Sequence, residues 1–209
     1  MMKLLAAAVV ALLIPLTAQA GDLEDADAAA DRGEFEAAIQ LYSRAIANGE
    51  SGDDGIGAVY YARGLTHGRL NQNDQALADY RTAVQAGYQD ARVHSSMCYT
   101  LSDRLGRPDE ALPACNDALR IDPYHAPTYS IRALIWWRKD IIVEAEKDFA
   151  HALSLDGENW GIHFNRGTMF HDLGRYPEAE ADFRRFSELA PDWAKQQMTH
   201  RLQEYGITN

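Results

Sequence analysis

The chain is poor in cysteine: Cys98 and Cys115 are the only two in 209 residues. They stand too far apart for a C-x-x-C pair, which excludes the common dithiol redox motif and the short zinc spacings. The seven histidines form no tight metal spacing with a cysteine or carboxylate, although His163 and His171 are eight positions apart. Neither a phosphate-cradling glycine loop nor a G-x-S-x-G nucleophile turn occurs. No catalytic residue, metal or cofactor is expected on these grounds, so an enzyme is not the leading reading. Positive charge is scarce too, with 20 Lys and Arg against 31 Asp and Glu and a net charge of −11. Phosphate binding needs a basic stripe, so nucleic acid is not an expected partner. Beyond Leu16 there is no apolar run of the roughly 20 residues that span a bilayer.

One apolar run is present, and it lies at the start. Lys3 is followed by LLAAAVVALLIPL from Leu4 to Leu16 and then Thr-Ala-Gln-Ala ending at Ala20. A short cationic start, an apolar stretch and small residues at the end predict a Sec-type signal peptide over 1–20, cleaved after Ala20. No cysteine follows that point, so a lipid anchor is not indicated. The expected product, 21–209, is exported and periplasmic, and loss of Lys3 makes it one charge more acidic.

A repeat organises the remainder. YYARGLTHGRLNQNDQALADYRTA from Tyr60, YSIRALIWWRKDIIVEAEKDFAHA from Tyr129 and HFNRGTMFHDLGRYPEAEADFRRF from His163 place similar residues in the same order. Arg132 and Arg166 are 34 residues apart, as are Ala145 and Ala179, Asp148 and Asp182, and Phe149 and Phe183. Within each unit apolar residues recur at spacings of three and four on two segments separated by a polar turn such as Leu173-Gly174-Arg175, which predicts two amphipathic helices. Small residues on the first segment (Gly64, Ala133, Gly167) and the second (Ala76, Ala145, Ala179) let the two backbones approach closely. A single hairpin cannot bury its whole apolar face, so successive hairpins must stack.

With its period of 34 and small residues at fixed offsets, the chain resembles the tetratricopeptide repeat (TPR) family. The residues that carry the resemblance include Tyr60, Gly64, Ala76, Tyr80 and Ala83, then Tyr129, Ala133, Trp136, Ala145, Phe149 and Ala152, then His163, Gly167, Phe170, Ala179, Phe183 and Pro191. The resemblance implies an all-α, right-handed superhelical array of about five helix-turn-helix repeats, at 22–49, 57–90, 91–125, 126–159 and 160–193, closed by a capping helix over 192–205. The third unit is irregular: it runs one residue over the period, with the extra residue placed around Ser102 to Arg104. Pro113 falls inside its second helix and should kink that helix or shift its start.

Arg63 with Asp79, Arg132 with Asp148 and Arg166 with Asp182 are each sixteen apart. Threefold copying in register favours structural ion pairs over catalysis. The third unit has Met97 and Ala114 at these positions, and beside them stand Cys98, in the small-residue slot of the first helix, and Cys115, in the aromatic slot of the second. Both slots face the hairpin interior. With export to an oxidising compartment, that register predicts a Cys98–Cys115 disulfide.

By the same resemblance, the first helix of each unit lines a concave groove that holds a peptide. Carried over by register, the groove comprises Tyr61, Leu65 and Arg69, then Ser95, Tyr99 and Asp103, then Ser130, Leu134, Trp137 and Arg138, and then Phe164, Thr168 and His171. Tyr61, Tyr99, Trp137 and Phe164 would form an aromatic band costly to leave wet without a partner, unless individual rings pack between units. The family's carboxylate-clamp pattern is not met, since Tyr, Ser and Phe stand where Lys or Asn would be needed. The expected function is a periplasmic interaction scaffold for a peptide or partner domain, within an envelope complex, with end-to-end self-association as a further option. The alternative is a hydrolase or small-ligand protein using His163, His171 and Asp172 in the same groove.

Overall fold

The computed structural model describes residues 21–205, apart from the side chain of Glu204; the expected leader over 1–20 lies outside the described residues. All regular structure among these residues is helical. Five hairpins follow one another: α1 (Asp22–Asp31) with α2 (Phe35–Asn48), α3 (Ile56–Arg69) with α4 (Asn73–Gln85), α5 (Ala91–Tyr99) with α6 (Pro108–Ile121), α7 (Ala126–Arg138) with α8 (Ile142–Leu155), and α9 (Trp160–Asp172) with α10 (Tyr176–Leu189). A last helix, α11 (Asp192–Glu204), closes the array.

Each hairpin turns through one residue in the left-handed region: Gly33, Asn71, Gly106, Asp140 and Gly174, with φ between 57° and 77°. That conformation ends the first helix by turning the chain away from its axis. Asn and Asp tolerate it because their side chains are short and polar.

The two helices of a hairpin meet at the small residues. A Cβ placed on Gly64 would sit 2.6 Å from Cε1 of Tyr80, and one on Gly167 would sit 3.0 Å from Cε1 of Phe183. Ala76, Ala83, Ala145 and Ala152 on the facing helices are fully buried, and Phe149, Phe183 and Phe186 fill the space beside them. At the C-terminal end Ala194 and Leu202 of α11 are buried in the core of the last two hairpins. Trp160 packs edge-on against both Phe186 and Trp193.

The extra residue of the third unit is absorbed in a π-helical turn, Thr100–Arg104, that continues α5. There the Leu105 N–H donates to the Thr100 carbonyl over 3.0 Å, a bond from residue i to i−5. Insertion of one residue into a helix takes this form when the flanking turns are held in place by packing. Pro113 does not shift the start of α6, which begins in register at Pro108 and runs through it to Ile121. Pro113 and Asp109, whose carbonyl loses its i+4 donor, are both exposed residues.

Candidate functional site

Three bidentate ion pairs recur within the hairpins. In each, Nε and Nη2 of the arginine donate to the two carboxylate oxygens of the aspartate, at 2.8 and 2.7 Å for Arg63–Asp79 and 2.7 and 2.8 Å for both Arg132–Asp148 and Arg166–Asp182. The aspartates are buried. Each guanidinium also lies over an aromatic ring: Tyr60, Tyr129 and Phe170 in turn. Hydrogen bonding to the carboxylate raises the pKa of Arg63 and Arg132 further above their ordinary value.

The third nitrogen has a separate role. Nη1 of Arg63 donates to the Ser43 hydroxyl over 3.0 Å, and Nη1 of Arg132 donates to the Asn116 side-chain oxygen over 2.8 Å. Ser43 and Asn116 each belong to the second helix of the preceding hairpin, so these arginines bind across hairpins as well as within them.

In the third hairpin the place of the pair is apolar. Met97 and Ala114 pack in the core, and Cys98 and Cys115, both fully buried, are joined as a disulfide with Cα atoms 5.2 Å apart. This bond ties α5 to α6 immediately before the π turn.

Two adjoining depressions mark the face made by the first helices. The larger, about 500 Å³, is bordered by Tyr99, Asp103 and Arg104, by Leu134, Trp137 and Arg138 of α7, by Trp160, Phe164, Asn165 and Thr168 of α9, and by Met198 and Arg201 of α11. The second, about 410 Å³, is bordered by Leu65 and Arg69 of α3, Asn73 and Tyr80 of α4, Ser95, Ser96 and Tyr99 of α5, Thr100 and Arg104 of the π turn, and Ile131. Tyr99 and Arg104 belong to both. The Arg104 guanidinium lies 5.3 Å from the centre of the Tyr99 ring, and together they form the wall between the depressions.

Of the groove residues expected from register, Leu65, Arg69, Ser95, Tyr99, Asp103, Leu134, Trp137, Arg138, Phe164 and Thr168 border one depression or the other. The uniformly exposed aromatic band does not form. Tyr99 is exposed and Trp137 half-buried, whereas Tyr61 and Phe164 are buried. Tyr61 lies against the rings of Tyr80 and Tyr88 at 5.7 and 5.5 Å, and this burial raises its pKa. Phe164 packs on Phe183 and Phe186. Ser130 is buried and borders neither depression.

His171 is also displaced from the expected groove. Its ring sits 4.2 Å from that of Tyr205 and 5.3 Å from that of Tyr176, because α11 folds back over the end of α9. His163 is buried, with Nδ1 2.8 Å from Asp182 and Nε2 3.0 Å from the Gly157 carbonyl. Neither histidine nor Asp172 borders the depressions, so the three do not assemble there as a hydrolytic set. No group of three or more potential metal-ligating His, Cys, Asp or Glu side chains occurs among the described residues.

Residues missed by register are Asn73, Tyr80, Ser96, Thr100, Arg104, Ile131, Trp160, Asn165, Met198 and Arg201, besides two glycines. Arg104 comes to the wall because the π turn rotates the end of α5. Met198 and Arg201 come from a helix expected only to cap.

A stack of helical hairpins with a furrowed face along its first helices defines a repeat scaffold of the protein-binding kind. The chain belongs to the tetratricopeptide repeat family, whose sequence profile matches residues 61–126 and 144–192. Among solved structures it is similar to TTC0263, a TPR protein of Thermus thermophilus, at 21% identity over 88% of this chain and 96% of that one, with a TM-score of 0.69. It is similar to MamA of Desulfovibrio magneticus RS-1, at 16% identity over 80% and 92%, with a TM-score of 0.67. YrrB, a TPR protein with an unusual peptide-binding site, is 18% identical over 87% and 91%, with a TM-score of 0.62. At such identities these likenesses establish the fold. No curated protein sequence matches the chain.

Proposed function

We propose that this protein is a non-enzymatic interaction scaffold of the periplasm that holds a peptide segment of a partner protein in a groove along α3, α5, α7, α9 and α11. The observation that carries the reading is the pair of depressions meeting at Tyr99 and Arg104, with an exposed Tyr99 and a half-buried Trp137 at their edges. Aromatic side chains that bury readily on contact, beside arginines, are the composition that dominates binding energy at protein interfaces. TPR proteins bind protein partners, and the peptide-binding site of YrrB lends the mode support. The periplasmic setting rests on the leader-like 1–20 segment and agrees with a disulfide as a structural element.

Site-specific photocrosslinking tests the groove. A benzophenone amino acid at position 99 or 137 should capture partner protein in cells, whereas the same probe at Tyr124, exposed but outside both depressions, should not. Equal capture at all three positions would remove the groove from the reading. Mature protein beginning elsewhere than Gly21, or recovered with the cytoplasm, would overturn the export step.

A further inference from the structure

The depressions differ in charge from the rest of the molecule. The chain carries a net charge of −11, and elsewhere on its surface arginines sit against carboxylates, as in Arg32–Glu34, Arg92–Asp90, Arg107–Glu110 and Arg184–Glu180. Four arginines border the depressions, Arg69, Arg104, Arg138 and Arg201, against one carboxylate, Asp103. Asp103 is committed to Arg138, whose Nη2 donates to it over 2.5 Å. Arg201 donates Nε to the Tyr205 hydroxyl. Arg69 and Arg104 are exposed and have no carboxylate partner among the described residues. A cation left unpaired in an acid-rich chain, in two copies on the wall and rim of one groove, is charge awaiting a counter-charge. The apolar borders beside them, Leu65 and Ile131 on one side and Leu134 and Trp137 on the other, call for an apolar side chain in the same ligand.

We infer that the occupant of the groove is an acidic, aromatic- or aliphatic-bearing peptide segment, whose Asp and Glu side chains pair with Arg69 and Arg104 while apolar side chains enter the depressions on either side of Tyr99. This deepens, and rests on, the peptide-groove reading above. Arginine suits the role because its planar fork can take a carboxylate by two parallel hydrogen bonds while its face remains on an aromatic ring. The acidic exterior confines such a ligand to the groove, since a long polyanion would meet repulsion wherever it left the arginines. That disfavours nucleic acid and favours a short segment.

Fluorescence anisotropy with a labelled short peptide carrying Asp and Glu around a central Phe tests the inference. It is compared with the same peptide bearing Asn and Gln, with one bearing Lys, and with a single-stranded oligonucleotide. The acidic peptide should bind about tenfold or more tightly than the neutral one, the expected worth of one charge-assisted hydrogen bond. Its affinity should fall with added salt. Arg69→Gln with Arg104→Gln should erase the preference, Arg184→Gln should leave it, and thermal melting should change little, because neither groove arginine has a carboxylate partner among the described residues and the Arg104 contact with the Tyr99 ring is exposed. Equal binding of the neutral peptide, tighter binding of the lysine peptide, or displacement of the acidic peptide by the oligonucleotide overturns the inference. If no peptide binds while crosslinks at positions 99 and 137 persist, this inference alone fails; if the crosslinks are absent as well, the groove reading fails with it.

Discussion

At the scale of the residue, the best-determined side chains are the copied arginine–aspartate pairs. Asp79 is 5% exposed and its two oxygens are both taken by Arg63. Removing it by Asp79→Ala leaves a largely buried guanidinium without its counter-ion, which should cost on the order of 3 kcal/mol in urea unfolding. The exposed pair Arg184–Glu180 should contribute less than about 1 kcal/mol to the same measurement. A second consequence concerns pH. Burial lowers the pKa of His94, near Asp117 and Arg120, and of His125, near Asp122, Asp90 and Arg92. The folded chain therefore prefers both rings neutral. Their contribution to stability is complete above the ordinary value of 6.5 and is lost as pH falls below it, because the unfolded chain takes up protons first. Melting temperature should drop between about pH 7 and about pH 5, and a His94→Gln, His125→Gln double variant should drop less. An identical profile in the two proteins would discount both histidines. The ion pairs are legible in the sequence because each is repeated at a fixed offset. The burial of Tyr61 is not, because periodicity assigns a direction on the helix while depth depends on Tyr80 and Tyr88 arriving from the next helix and loop.

At the scale of the element, the third hairpin joins three departures from the repeat: the missing ion pair, the disulfide and the π turn. Closing a loop with a sequence separation of 17 by the Cys98–Cys115 bond should contribute ~3 kcal/mol. Cys98→Ala with Cys115→Ala should lower the unfolding midpoint accordingly. Because Cys98 directly precedes Tyr99, the variant should also weaken binding of groove ligands more than its distance from solvent suggests. Unchanged affinity at a temperature where the variant is folded would show that α5 holds the wall unaided. The slip in the period announces an insertion near Ser102, but its form is not readable from spacing. A longer loop, an extended helix and a π turn all add one residue, and only the packing of Leu101 on one side and Leu105 on the other selects the last. The same ambiguity hides Arg104, whose direction changes with each of the three.

At the scale of the whole molecule, the period makes the hairpin count and the order of helices legible, because each unit must bury its face on its neighbour. What α11 does beyond capping is not legible, since its polar residues suit a solvent face and its inward residues are few. In the structure it supplies Leu202 to the core and Met198 and Arg201 to the larger depression, and it brings Tyr205, the residue after its end, against His171. The arginine ties across hairpins also distribute unevenly. Arg63 joins the second hairpin to the first and Arg132 joins the fourth to the third, but Met97 in the third has no guanidinium to offer the second, and Arg166 in the fifth bonds only Asp182 of its own hairpin among the described residues. At the boundary of the second and third hairpins the polar contacts are long, Tyr61 to Ser96 at 3.4 Å and Arg81 to Glu110 at 3.9 Å, beside apolar packing of Leu77 with Cys98 and Leu101. Hydrogen exchange should therefore resolve α1–α4 from α5–α8 as separately opening blocks, whereas one uniform protection level across both would refute the division. If those blocks open separately, the array is a row of stiff segments with compliant joints rather than a rigid rod, and one joint falls beside Tyr99, where a ligand lying across both depressions would bridge it and stiffen that part of the array.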